Sequence, residues 1–221
     1  NPGCTPGNTC NEKGVCITSP QAQDVGTVDV IGLKASVSMK PRVPTFAYNN
    51  LGTLPHPGFD EGATIQLRAS GGSGNQDFVL GGWGIAPFES TDKEITVEKS
   101  KPLVLSWKAP GKEGPSKLYI KLNINNHGGL ASRVECEVPD TGSYSIPTRL
   151  ITKLFESGLS GYPDIVLTRR SVDSTSIKDG CVQLVVVSEV RRDVKIPGLV
   201  SCSSDENCPS GQTCKADLTC E

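Results

Sequence analysis

The chain of 221 residues carries a formal net charge of −2 and a pI near 5.8, which excludes nucleic acid or an anionic membrane surface, both held through a basic excess, as its main partner. Its 24 glycines and 16 prolines interrupt the sequence too often for long helices, and no apolar run approaches the ~18 residues of a transmembrane span. Nine cysteines are too many for a reducing compartment without a metal, so the chain is expected outside the cytoplasm, on an outer cell surface or in the extracellular space.

The first element is a cysteine module at residues 1–20, with Cys4, Cys10 and Cys16 each separated by five residues, and residues 201–221 repeat that spacing with Cys202, Cys208, Cys214 and Cys220. Cys4-Thr-Pro-Gly-Asn-Thr-Cys10 aligns with Cys208-Pro-Ser-Gly-Gln-Thr-Cys214, so the termini hold two copies of one module, the first lacking its first cysteine. Segments this short have no room for a core and need disulfides. First-to-third and second-to-fourth pairing joins Cys202 to Cys214 and Cys208 to Cys220, although four cysteines allow three connectivities, and the same rule joins Cys4 to Cys16. Cys10 is then left unpaired or intermolecular, its expected partner falling three positions before Asn1, in a segment removed by trimming or supplied by a neighbouring molecule. Zinc is the competing reading of the modules, disfavoured because neither contains histidine and the gaps are long for zinc ligands.

Between the modules, residues 21–200 read as one body of strands. Leu33, Ala35, Val37 and Met39 alternate with polar residues, as do Ile65, Leu67 and Ala69, then Leu103, Leu105 and Trp107. Turn clusters such as Leu54-Pro-His-Pro-Gly58 and Gly71-Gly-Ser-Gly74 separate them. The segment 71–88, with Trp83 among glycines, is the most site-like. Trp83 offers a stacking face and Asn75, Gln76 and Asp77 offer directional polar groups, which together would suit a sugar; alternatively Trp83 plugs one end of the core.

In residues 117–125 Leu118, Ile120, Leu122 and Ile124 alternate with polar residues; a turn follows at 125–129; then Val134, Cys136 and Val138 point inward from a second strand. A short helix follows, with Ser145 as a candidate cap, Pro147 in the first turn, Leu150, Ile151, Leu154 and Phe155 as an apolar stripe, and Gly158 as the stop. Ile165 with Leu167, and 181–190, add further strands. Cys136 and Cys181, the only cysteines of the body, are expected to pair. Arg169 with Arg170, and Arg191 with Arg192, read as solvated strand edges.

The pattern Leu103-Val-Leu-Ser-Trp107, then Glu135-Cys-Glu137, then Asp140-Thr-Gly-Ser-Tyr-Ser-Ile-Pro147 before a Leu-rich helix resembles a group of secreted proteins and predicted lipoproteins of Gram-negative, myxobacterium-like bacteria. The five-residue cysteine repeats are similar to those that such surface proteins carry. The resemblance implies location and architecture and transfers no catalytic residue.

The fold expected is all-β: a two-sheet β-sandwich, jelly-roll-like or immunoglobulin-like, with one short helix and two flanking disulfide modules. His56 and His127 lie in turn sequences without a nucleophile motif, and neither Asp60 with Glu61 nor Asp77 with Glu89 is marked as a catalytic carboxylate pair. The chain is therefore read as a non-enzymatic structural, adhesive or assembly protein with protein partners or copies of itself and no cofactor or metal. A carbohydrate-binding module that takes glycans is the alternative.

Overall fold

The computed structural model describes residues 4–10, 15–19, 21–72, 74–92, 94–127, 132–178 and 180–221. The chain is all-β with one short helix, arranged in several sheets. A two-stranded ribbon, β1 (Asn8–Cys10) with β2 (Cys16–Thr18), forms the N-terminal module. A four-stranded sheet runs in the order β4 (Val37–Met39), β3 (Val28–Ile31), β5 (Thr64–Ala69), β6 (Phe78–Trp83). A pair joins β8 (Leu103–Ser106) to β11 (Ser143–Ile146). The largest sheet has five strands in the order β10 (Arg133–Pro139), β9 (Lys117–Asn123), β12 (Asp164–Ile177), β13 (Gly180–Lys195), β7 (Ile95–Thr96).

The hydrophobic alternation decides which faces are buried. Leu118, Ile120 and Leu122 on β9 and Ile165 and Leu167 on β12 are buried on one face of the large sheet, under the β8–β11 pair. Helix α1 (Thr148–Glu156) closes this core with Ile151 and Leu154 buried, Leu150 and Phe155 partly so, and Lys153 exposed. Pro147 takes the N-cap position in an extended conformation and no side chain caps the helix; Ser145 stays in β11. The physical reason is that a proline holds its preceding residue extended, so the strand runs to Ile146 and the helix begins only beyond Pro147.

A second, smaller cluster holds Ile65, Ile85 and Val186, with Val30, Leu33, Phe59, Trp83 and Leu184 packed around them. The residues 21–200 thus contain two apolar clusters, and the long hairpin β12–β13 spans both. Its first half, through Arg170, lies between β9 and β13; beyond Arg170 the strand β12 pairs with β13 alone.

Both terminal modules carry bridges separated by 12 positions: Cys4–Cys16, Cys202–Cys214 and Cys208–Cys220. The side chain of Cys10 lies outside the described residues. The C-terminal module is docked on the body: Ser201 Oγ donates to the Gly161 carbonyl at 2.5 Å, Gly161 N–H donates to the Asp217 carbonyl at 2.7 Å, and Cys202 is buried. The expected Cys136–Cys181 bridge does not form, and both thiols are free. Cys136 sits in the middle of β10 opposite Ile120 and packs on the large core, whereas Cys181 pairs with Ser176 at the exposed tip of the hairpin. The two are separated by β9 and by most of the length of β12, far beyond the ~7 Å that a disulfide spans between Cα atoms.

Candidate functional site

The sugar-site residues are not brought together. Asn75, Gln76 and Asp77 precede β6, while Trp83 ends it, six to eight positions further on, a separation of at most about 20–26 Å along an extended chain. Asn75 is occupied locally, its side-chain amide donating to the Asp24 carbonyl at 2.9 Å, and Gln76 and Asp77 are exposed. Trp83 is half-buried against the smaller core, and a side chain on Gly114 would overlap its indole, so a glycine there admits the ring. The packing matches a plug more closely than a stacking platform.

Other candidate groups are also tied locally. Asp60 pairs with Lys34 at 3.0 Å, Glu61 accepts the Lys112 N–H at 2.9 Å, and Glu89 pairs with Lys108 at 3.4 Å. His56 stands in a turn and His127 at the β9–β10 turn with φ of 67°. The sulfurs of Cys202, Cys208 and Cys214 lie within 4.8 Å of one another, but each is spent in a bridge, and a metal needs thiolates.

One arginine read as a solvated edge is the opposite. Arg169 lies on the inner face of β12 with its side chain 1% exposed, paired with Asp140 at 2%. Its Nε donates to Asp140 Oδ2 at 2.6 Å and one Nη to Oδ1 at 3.1 Å, while further N–H groups reach the carbonyls of Pro87 and Lys108 at 3.0 and 2.6 Å. Asp140 also accepts Trp107 Nε1–H at 2.7 Å and the Ser116 hydroxyl at 3.0 Å. With its charge paired and its donors satisfied, this group is a structural tie between the two clusters.

The surface left with chemistry to offer is the outer face of the large sheet beside the start of β9 at Lys117. Lys117 Nζ and Arg170 both donate to Glu137, at 2.7 and 2.5 Å, and Arg170 stacks over the Tyr119 ring at 4.5 Å. These bonds from Lys117 and then Arg170 hold the Glu137 carboxyl below its ordinary value, while burial and the nearby Glu135 push the Tyr119 phenol up. Beside this cluster a groove is lined by Pro115, Lys117, Arg170, Val172, Gln183 and Val185, and it adjoins a cleft of ≈ 840 Å³ between residues 109–117 and 137–141. Val172, Val185 and Val187 stand on the same face at 47%, 43% and 50% exposure, with Val172 directly opposite Val185. Sequence reasoning missed this surface, because the Ser- and Thr-rich stretch 171–177 carries no apolar alternation.

No protein-family model matches the chain, and no curated protein matches it. No helix among the described residues is long and apolar enough to cross a membrane.

Proposed function

We propose that the protein is a non-catalytic structural or adhesive subunit, exported to the surface of a myxobacterium-like Gram-negative cell or beyond it, that works through contacts with protein, including copies of itself. The observation that carries this reading is the valine surface of Val172, Val185 and Val187, solvent-facing on the outer face of the β12–β13 hairpin. Scattered exposed apolar residues need no explanation, but adjoining ones on a flat sheet face favour contact with another protein. The three cystines support an oxidising location, and the resemblance noted above supports a bacterial envelope.

The test is association as a function of concentration, followed by sedimentation velocity on the wild type and on a triple variant Val172→Thr, Val185→Thr, Val187→Thr. Threonine keeps the strand propensity and the shape while adding a hydroxyl. Loss of association in the triple variant, with an unchanged melting temperature, supports the reading. Equal association by both proteins removes the valine surface from it. Binding on a glycan array that is lost in Trp83→Ala would transfer the function to carbohydrate.

A further inference from the structure

Among the described residues the distal half of β12 has no strand beside it on the side away from β13, and the backbone hydrogen bonds show which of its groups are open. Val194 N–H donates to the Pro163 carbonyl at 3.0 Å, so in the unbroken register of β12 with β13 the odd-numbered residues of β12 exchange hydrogen bonds with β13. The even-numbered residues therefore turn their N–H and C=O groups the other way. From Asp164 to Arg170 those groups meet β9. Beyond Lys117, where β9 begins, Val172, Ser174 and Ser176 direct theirs into solvent. Ser174 N–H is held only by the carboxylate of its neighbour Asp173, at 2.9 Å. Among the described residues nothing pairs with Val172 or Ser176 on that side.

Several other edges are protected in ways this one is not, although the outer edge of β13 from Cys181 to Val186 also lacks a backbone partner among the described residues. β10 presents Arg133, Glu135 and Glu137 and ends in Pro139, and β4 is only three residues long. The edge of β6 is capped by side chains from β12 itself: Asp173 Oδ2 accepts Gly81 N–H at 2.7 Å, and the Ser171 hydroxyl accepts Trp83 N–H at 3.2 Å and donates to its carbonyl at 3.1 Å. Along β13 the segments that include His56–Phe59 and Pro87–Phe88 flank Val187, Ser188 and Glu189. In contrast, the stretch Ser171–Ile177 contains no lysine, arginine or proline, the residues that commonly discourage edge pairing.

We propose that this edge is a strand-addition site whose occupant is the same edge of a second copy, forming a two-fold antiparallel pair centred on Ser174. This deepens the assembly reading above and rests on it. Two features favour a second copy. Antiparallel pairing about Ser174 places Val172 opposite Ser176 of the other copy and Ser174 opposite Ser174, so every open group meets an open group. The one charge of the stretch, Asp173, then faces Thr175, whereas a pair centred one residue earlier would set Asp173 against itself. β9 already fixes the line along which a strand adds to β12, and the unpaired slot of seven residues is about 23 Å long. The second copy's ribbon is of the same length, since it is the same element. The ladder hydrogen bonds would replace the Asp173 cap on Ser174 N–H and close the two sheets into one.

The experiment compares the wild type with four variants. In a two-fold pair the Ser174 Cα atoms stand ~5.5 Å apart as a hydrogen-bonded couple, within the span of a disulfide. Ser174→Cys, made in a Cys10→Ser, Cys181→Ser background to remove the other thiols able to cross-link, should give a covalent dimer on oxidation, and the Cys10→Ser, Cys181→Ser background alone should not. Ser174→Pro removes an N–H that β13 does not use, so the hairpin should stay folded by circular dichroism while association weakens at least tenfold. Wild-type protein that associates equally well as Ser174→Pro, or that cross-links through Gln183→Cys on β13 and not through Ser174→Cys, overturns the proposed edge while leaving the assembly reading in place. A wild type that stays monomeric at every concentration overturns both.

Discussion

The two halves of the β12–β13 hairpin share one register and one continuous ladder, yet they do different work. From Asp164 to Arg170, β12 has a strand on each side, and Ile165 and Leu167 are sealed into a cluster of seventeen buried residues. From Ser171 to Ile177 it has a strand on one side only, and the partner strand contributes Val186 to a cluster of three. Strand length alone therefore says little about stability. What each half leans on decides it, and the change falls where the sequence passes from Asp164-Ile-Val-Leu to Ser171-Val-Asp-Ser.

Arg169 and Asp140 sit at the junction of the halves, and breaking them should have the largest effect. Arg169→Ala leaves a buried carboxylate without its counter-charge and strands the carbonyls of Pro87 and Lys108, a loss of about 3–5 kcal/mol. Arg170→Ala, one residue later on the outer face, removes a half-exposed pair with Glu137 and should cost about 0–1 kcal/mol. Urea denaturation of both variants measures the contrast. Similar losses would mean that Arg169 is not the tie between the clusters.

The next effect compares the clusters directly. Ile120 and Ile65 are both buried, at 0% and 2% exposure, one in each cluster. Truncating either to alanine removes the same atoms, but the surroundings of Ile65 are fewer and only partly buried, so they collapse more readily onto the gap. Ile120→Ala should fall near the top of the roughly 2–5 kcal/mol range for such truncations and Ile65→Ala near the bottom. A reversed order in thermal melts would show that the small cluster is the tighter one.

A smaller effect belongs to the distal half alone. Asp173→Ala removes the acceptor for Gly81 N–H and should cost about 1 kcal/mol, a typical net value for one hydrogen bond. Amide exchange reads it more sharply than a melt: Gly81 should exchange faster while the amides of β9 keep their protection. Equal acceleration at β9 would mean that the halves unfold as one unit.

How much of this was legible in the sequence follows from the strength of each local signal. β9, β10 and α1 could be placed because apolar side chains recur there at the period of a strand or of a helix, and the two cysteine modules stood out by one repeated spacing, which left their connectivity open. β6 was hidden because Gly81, Gly82 and Trp83 read as a loop around an aromatic, and its backbone is secured by side chains from residues 171 and 173, which no local pattern reveals. The distal half of β12 was hidden because serine and threonine mark turns as readily as edge strands. Its one legible cue, the Asp-Gly pair at 179–180, is a hairpin signal. Arg169 was misread because two adjacent arginines on a strand point to opposite faces, and sequence alone does not say which face is deep. The expected Cys136–Cys181 bridge failed for a related reason: being the only cysteines left over is an argument from counting, and register decides distance.

The smallest expected effect concerns protons on the outer face, where two carboxyls move in opposite directions. Glu137 is held below its ordinary value by Lys117 and Arg170, so its folded form binds protons less readily than its unfolded form. The stability it contributes is complete above the unfolded glutamate value of ~4.3 and is lost as pH falls through the lower, folded value. Asp164, at the far end of the proximal half, is pushed above its ordinary value by burial, which Arg191 offsets in part. Its folded form therefore binds protons more readily, and stability falls as pH rises from the unfolded aspartate value of ~3.9 to the higher, folded one. Subtracting the pH–stability curve of Glu137→Gln from that of the wild type should leave a difference that shrinks on acidification, while the same subtraction with Asp164→Asn should leave one that grows in favour of the wild type. Two differences that change in the same direction between pH 3 and pH 6 would show that the acid response comes from elsewhere in the molecule, and that the outer face of the sheet does not hold two carboxyls shifted in opposite directions.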